Sequence, residues 1–129
     1  MRNNPFKPRH ILPVLPVLLV LLVFLPGAAL AHAFLDHSEP KVGSEVAKAP
    51  TEVRIKFTQQ VEPSFSKIEV KDKDGKAVDK KDTHIDPQDK QTLIVSLESL
   101  PPGIYTVSWH VVSVDTHSTR GDFKFTVKS

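Results

Sequence analysis

From Thr51 onward the chain alternates apolar and polar side chains in short runs, and no stretch of helical length spaces its apolar positions by three and four. The run TEVRIKF sets Val53, Ile55 and Phe57 on one face and Glu52, Arg54 and Lys56 on the other, as a strand with one side buried requires. SKIEVKD repeats this with Ile68 and Val70, and the Asp74-Gly75 that follows is a hairpin turn signal. QTLIVSL offers Leu93, Val95 and Leu97 to a core. Two longer runs follow, one with Tyr105, Val107, Trp109 and Val111 on a common face and one with Phe123, Phe125 and Val127. The pattern is all-β.

About seven short strands in roughly 100 residues predict an immunoglobulin-like β-sandwich, with a small Greek-key barrel as the alternative. The segment Leu100-Pro101-Pro102-Gly103-Ile104-Tyr105 has the form of the corner before the penultimate strand of such sandwiches, where a tyrosine hydroxyl bonds back to upstream backbone. Residues 71–90 are almost all charge and turn formers, and a solvated hairpin and loop is expected there. Asp72, Asp74 and Asp79 lack the spacing and terminal Glu of an EF-type calcium loop.

The start of the chain is of another kind. A basic head with Arg2, Lys7 and Arg9 precedes residues 11–25, all Val, Leu, Ile or Phe except Pro13 and Pro16. Those fifteen residues fall short of the roughly 20 that span a bilayer as a helix. Pro26-Gly27 breaks the run, and Ala29-x-Ala31 supplies the small side chains of a signal peptidase site. Residues 1–31 are therefore expected to be a signal peptide cut between Ala31 and His32, and 32–129 one periplasmic or secreted domain of the cell envelope; an uncleaved anchor is the alternative.

Removal of the signal changes the charge balance. The whole chain has 17 basic and 15 acidic residues, but 14 and 15 remain after residue 31, a formal charge of −1. That balance gives no support to nucleic-acid binding. Cysteine is absent and the only methionine is Met1, so the mature domain has neither disulfide, thiolate nor thioether.

Five histidines remain: His32, His37, His84, His110 and His117. His32 would open the mature chain, where its α-amine and its imidazole Nδ1 can close a chelate ring on one metal ion. An α-amine has a pKa near 8, so a metal displaces its proton readily. Nitrogen donors without sulfur favour Cu(II) over Cu(I). Asp115-Thr116-His117 is the natural complement, because residues two apart in extended chain project to the same side. The plain alternatives are that some residue must follow the cut, and that Asp115 caps a turn beside an exposed His117. His110 falls on the face away from Trp109, His84 in the charged segment and His37 beside Asp36; none of the three receives a role.

HAFLDHSEPKVGSEV, IKFTQQVEPSFS and LPPGIYTVSWHVVSVDTHSTRGDFKFTV, in this order, resemble the CopC family of exported copper-binding, copper resistance proteins. The likeness covers nearly all of residues 32–128 and rests on three features together: the mature N-terminal His, the opening Ser38-Glu39-Pro40-Lys41-Val42-Gly43, and Trp-x-x-x-Ser-x-Asp-x-His from Trp109 to His117. The resemblance implies an immunoglobulin-like sandwich that holds one Cu(II) through His32, His117 and Asp115, the carboxylate binding weakly or orienting from behind. It also implies a role in copper resistance, sequestration or delivery to an inner-membrane transporter of the CopD type, by a monomer.

Two departures narrow that expectation. Some members carry a Glu near the copper where FTQ here offers Gln59, a neutral and poorer ligand, so Gln59 is left out of the metal set. Other members bind Cu(I) through a Met-rich segment, which this mature chain lacks. The expected activity is not enzymatic. An oxidative copper enzyme of the N-terminal-histidine type would need a broad face of exposed aromatics, whereas Trp109 and Tyr105 both fall on core-facing positions; a metal-free adhesion domain is the other alternative.

Overall fold

The alternating runs fold into eight strands: β1 (Leu35–Glu39), β2 (Glu45–Val46), β3 (Glu52–Phe57), β4 (Lys67–Lys71), β5 (His84–Asp86), β6 (Asp89–Ser96), β7 (Gly103–Val112) and β8 (Ser118–Val127). The computed structural model describes residues 32–129 and, ahead of them, only Arg2, Asn3, Pro5, Pro8, Arg9, His10 and Pro13; the expected signal peptide and its cut after Ala31 lie outside the described residues. Two four-stranded sheets form, in the orders β1-β3-β6-β5 and β2-β8-β7-β4. All pairs are antiparallel except β2 with β8. The two sheets stay open at their edges, so the architecture is a sandwich and not the barrel held as its alternative. β2 and β5, of two and three residues, are too short for alternation to reveal, and eight strands form where about seven are expected.

The faces read from alternation are the buried ones. Val53, Ile55 and Phe57 of β3 are fully enclosed, as are Ile68 and Val70 of β4 and Leu93 and Val95 of β6. The β3 and β6 side chains meet, across the sandwich, Tyr105, Val107, Trp109 and Val111 of β7 and Phe123, Phe125 and Val127 of β8, in the sheet to which β4 also belongs. Burying each such large side chain contributes about 1.5–3 kcal/mol. Phe57 and Trp109 join the sheets edge to face, ring centroids 5.3 Å apart. Tyr105 stacks on Phe125 and its hydroxyl donates to the Pro101 carbonyl, the corner expected from the sequence.

Residues 71–90 are more structured than a solvated loop. Asp72 closes a turn by accepting from the amides of Asp74 and Lys76, with Gly75 at φ +80°. The chain then covers the open edge of β4. The Thr83 hydroxyl accepts from Ile68 N at 3.1 Å, and the buried Asp79 accepts from Val70 N at 2.9 Å, so side chains stand in for a missing strand. Beyond this, β5 pairs with β6 through a hairpin whose Asp86 bonds to Arg54 of β3, and whose Asp89 lies 3.2 Å from Lys56 of β3.

Trp109 lies directly across from Gly121 in the β7–β8 register, and a Cβ on Gly121 would sit 2.6 Å from Trp109 Cζ2. Gly121→Ala is expected to destabilise the domain by about 1–3 kcal/mol, because a rigid core indole must move; urea unfolding measures this, and an unchanged midpoint would refute the packing.

Acid provides a second test. Asp82 is held below the ordinary aspartate value of 3.8 by the hydroxyl and amide of Ser96. Asp86 is held below it by Gln88 N–H and Arg54, and Asp89 by Gln91 N–H and the Thr92 hydroxyl. Their stabilisation is complete above the ordinary aspartate range and is lost as pH falls through the depressed folded values. Unfolding free energy should therefore hold from neutrality to about pH 4 and fall below it, with a shallower fall in Asp82→Asn. An identical acid limb in that variant would contradict the assignment.

Candidate metal centre

β7 ends at Val112, and Ser113, fully buried, makes an isolated bridge to Val61. From that fixed point the chain turns through Val114, Asp115 and Thr116 before β8 begins. Ser113 organises the turn: its amide donates to the His117 carbonyl at 2.9 Å, and its carbonyl accepts from Thr116 N at 2.9 Å. Its hydroxyl donates to Asp115 Oδ1 and lies 3.1 Å from the His117 carbonyl oxygen. Thr116, at the apex between Asp115 and His117, has φ +72°, the left-handed region that a β-branched residue rarely adopts.

This turn sets the electrostatics. The Ser113 hydroxyl draws the Asp115 carboxyl below the usual carboxylate range against partial burial, and His117 adds to the effect through its amide and its ring. Asp115 is thus an anion at neutral pH. His117 Nδ1 stands 3.3 Å from Asp115 Oδ1, too poorly aligned for a hydrogen bond.

The segment from His32 to Phe34 runs into β1 beside this turn. The His32 and His117 rings meet edge to face, with centroids 4.7 Å apart. Three side-chain polar atoms among the described residues are sealed from solvent with no hydrogen-bond partner, and two of them are His32 Nδ1 and His117 Nδ1. An orphaned buried polar atom costs about 1–3 kcal/mol. Two at one place, each a lone-pair donor in the tautomer protonated at Nε2, suit a shared cation.

The sequence-derived set is therefore brought together in one corner of the sandwich: His32 against His117, and Asp115 against His117. Among the described residues no three His, Asp or Glu side chains gather as a metal-holding group. The further nitrogen expected of His32 is its α-amine, which remains an amide while Ala31 is attached. His37 stands apart, 65 % exposed and 3.2 Å from Asp36. His84 bonds through Nδ1 to the Asp82 carbonyl, and His110 lies on the outer face of its sheet between Lys67 and Arg120. Sequence reading passed over Ser113, Thr58 and Thr119, whose hydroxyls hold the segments that carry the imidazoles; their only signal was a polar residue at a strand end.

Residues 35–128 match the CopC domain. The chain belongs to the CopC family. It is 40% identical over 99 residues to Protein YobA of Escherichia coli K12, covering 76% of this chain and 80% of that one. To the copper transport protein CutJ of Bacillus subtilis it is 37% identical over 105 residues, which cover 81% of this chain and 19% of CutJ. The crystal structure of CopC from Methylosinus trichosporium OB3b superposes with a TM-score of 0.71 at 32% identity, over 75% of this chain and 94% of that one. The family is one of copper resistance and copper transport proteins.

In this CopC chain the left-handed Thr116 is a local strain between the two side chains of the Asp-x-His pair. Thr116→Gly should relieve it and raise metal-free stability by about 1 kcal/mol, net of the extra freedom of glycine when unfolded. Thermal unfolding reads this, and destabilisation would contradict it.

Proposed function

We propose that residues 1–31 are removed on export, and that the mature chain binds one Cu(II) through the α-amine and imidazole of His32 and the imidazole of His117. Asp115 serves as a weak oxygen ligand or as the group that orients His117. The observation that carries this reading is the pair of sealed, unpartnered Nδ1 atoms on adjacent rings. A bound cation would satisfy both, and the Asp115 carboxylate would offset part of its charge. The donors are nitrogen and oxygen only, since residues 32–129 contain neither Cys nor Met, and such sets suit Cu(II). One chain supplies every donor, so a monomer suffices.

The domain acts in the cell envelope as a binding module that protects against copper or passes it to a membrane transporter of the CopD type. The match to CutJ supports delivery, because a domain of this kind there occupies about a fifth of a copper transport protein. A binding role over an oxidative one is supported by the burial of Trp109 and Tyr105 in the core, where neither ring can form a substrate platform.

Titration of Cu(II) into the mature chain, an N-acetylated form, a form retaining Ala31 and His117→Ala tests the reading. The mature chain should bind one ion and gain about 2.7 kcal/mol of stability at a hundredfold excess over Kd. Each of the other three should bind at least about tenfold more weakly. Equal binding by the acetylated form would overturn the site.

A further inference from the structure

A chain terminus ordinarily frays, and a chelating residue at a frayed end must be ordered at the moment of binding. His32 is not held that way. Its carbonyl accepts from the Thr58 hydroxyl at 3.1 Å, while the same Thr58 oxygen accepts from Phe34 N at 3.0 Å. Thr58 N in turn donates to the Phe34 carbonyl at 2.8 Å. Between them the Ala33 methyl is fully buried in the core, and the Ala33 carbonyl accepts from the Thr119 hydroxyl at 2.6 Å. Both donor and acceptor capacity of the Thr58 hydroxyl are thus spent on the backbone flanking Ala33.

The two threonines come from different sheets. Thr58 follows β3, and Thr119 lies in β8, two residues beyond His117. Because Thr119 follows His117 by two residues at the start of β8, its bond to Ala33 ties together the two imidazole-bearing segments. With Ala33 turned into the core, the side chains of His32 and Phe34 are both directed away from it, and their rings meet edge to face at 6.0 Å.

We propose that Thr58 and Thr119 are positioning residues that preorganise His32 for metal binding before any metal arrives. The inference rests on the Cu(II) reading above. Holding the segment in the metal-free protein removes an ordering penalty from binding, and it fixes the His32 ring against His117. Partners that orient ligands in this way are typically worth about 10–100-fold in metal affinity.

The test uses the mature chain with Thr58→Val and Thr119→Val, which keep volume and remove the hydroxyl, and Thr58→Ser and Thr119→Ser, which keep it. Each valine variant should lose about 10–100-fold in Cu(II) affinity and alter the Cu(II) electron paramagnetic resonance spectrum, and each serine variant should restore both to within about threefold. In metal-free Thr58→Val the Phe34 amide should exchange with solvent at least about tenfold faster, while amides of β3 and β7 keep their protection. Should a valine variant fail to fold, the serine variant decides, since a tenfold loss with the hydroxyl retained would overturn the proposal. Unchanged affinity and spectrum in folded valine variants would overturn the clamp and leave the site standing. Indifference of the wild type to a free His32 amine would overturn both.

Discussion

The ladder between β7 and β8 is the interaction on which the rest of the domain depends. It runs unbroken from Gly103 opposite Val127 to Val112 opposite Ser118. Tyr105 with Phe125, Val107 with Phe123 and Trp109 with Gly121 form successive inward rungs, so the ladder supplies most of one wall of the core. β4 adds to the free side of β7, β2 to the end of β8, and the opposite sheet packs across. A slip by one residue would turn every one of those side chains outward, so burial fixes the register. The turn that closes the ladder carries Asp115 and His117. Their position is thereby set by the core itself.

This explains which parts of the molecule were legible beforehand. Period-two alternation named the buried faces of β3, β4, β7 and β8 correctly, because each strand has one dry side and one wet side. The Asp-x-His pair was legible as two donors two residues apart, but the extended chain expected to align them is a turn with Thr116 in the left-handed region, and it is the Ser113-bonded turn that sets Asp115 beside His117. The Tyr105 corner was legible because Pro-Pro-Gly ahead of it constrains the backbone locally. Where a short range of sequence determines the contact, the sequence displays it.

What stayed hidden depends on distant partners. Thr119 meets Ala33 across 86 residues and Thr58 meets His32 across 26, and nothing local to any of the four announces the pairing. Asp79 and Thr83 read as two more polar residues in a charged run, yet they finish the edge of β4. β5 was invisible because three residues hold no period. The strained backbone at Thr116 likewise arises from Ser113 binding both ends of the turn, a constraint of closure and not of composition.

The arrangement makes the proposed copper site conditional on two separate events. One imidazole lies in the turn that closes the β7–β8 ladder, so it is in place only when the sandwich has formed. The other, on the proposed reading, sits at the junction with Ala31, and its α-amine would become a ligand only once Ala31 is removed. Folding alone brings the two rings together with orphaned nitrogens, an assembly that lacks an amine. Cleavage alone yields an N-terminal histidine with nothing opposite it. On the proposed reading, a folded chain still carrying residues 1–31 would bring two imidazoles together without the chelate, and strong Cu(II) capture would follow only where both conditions are met.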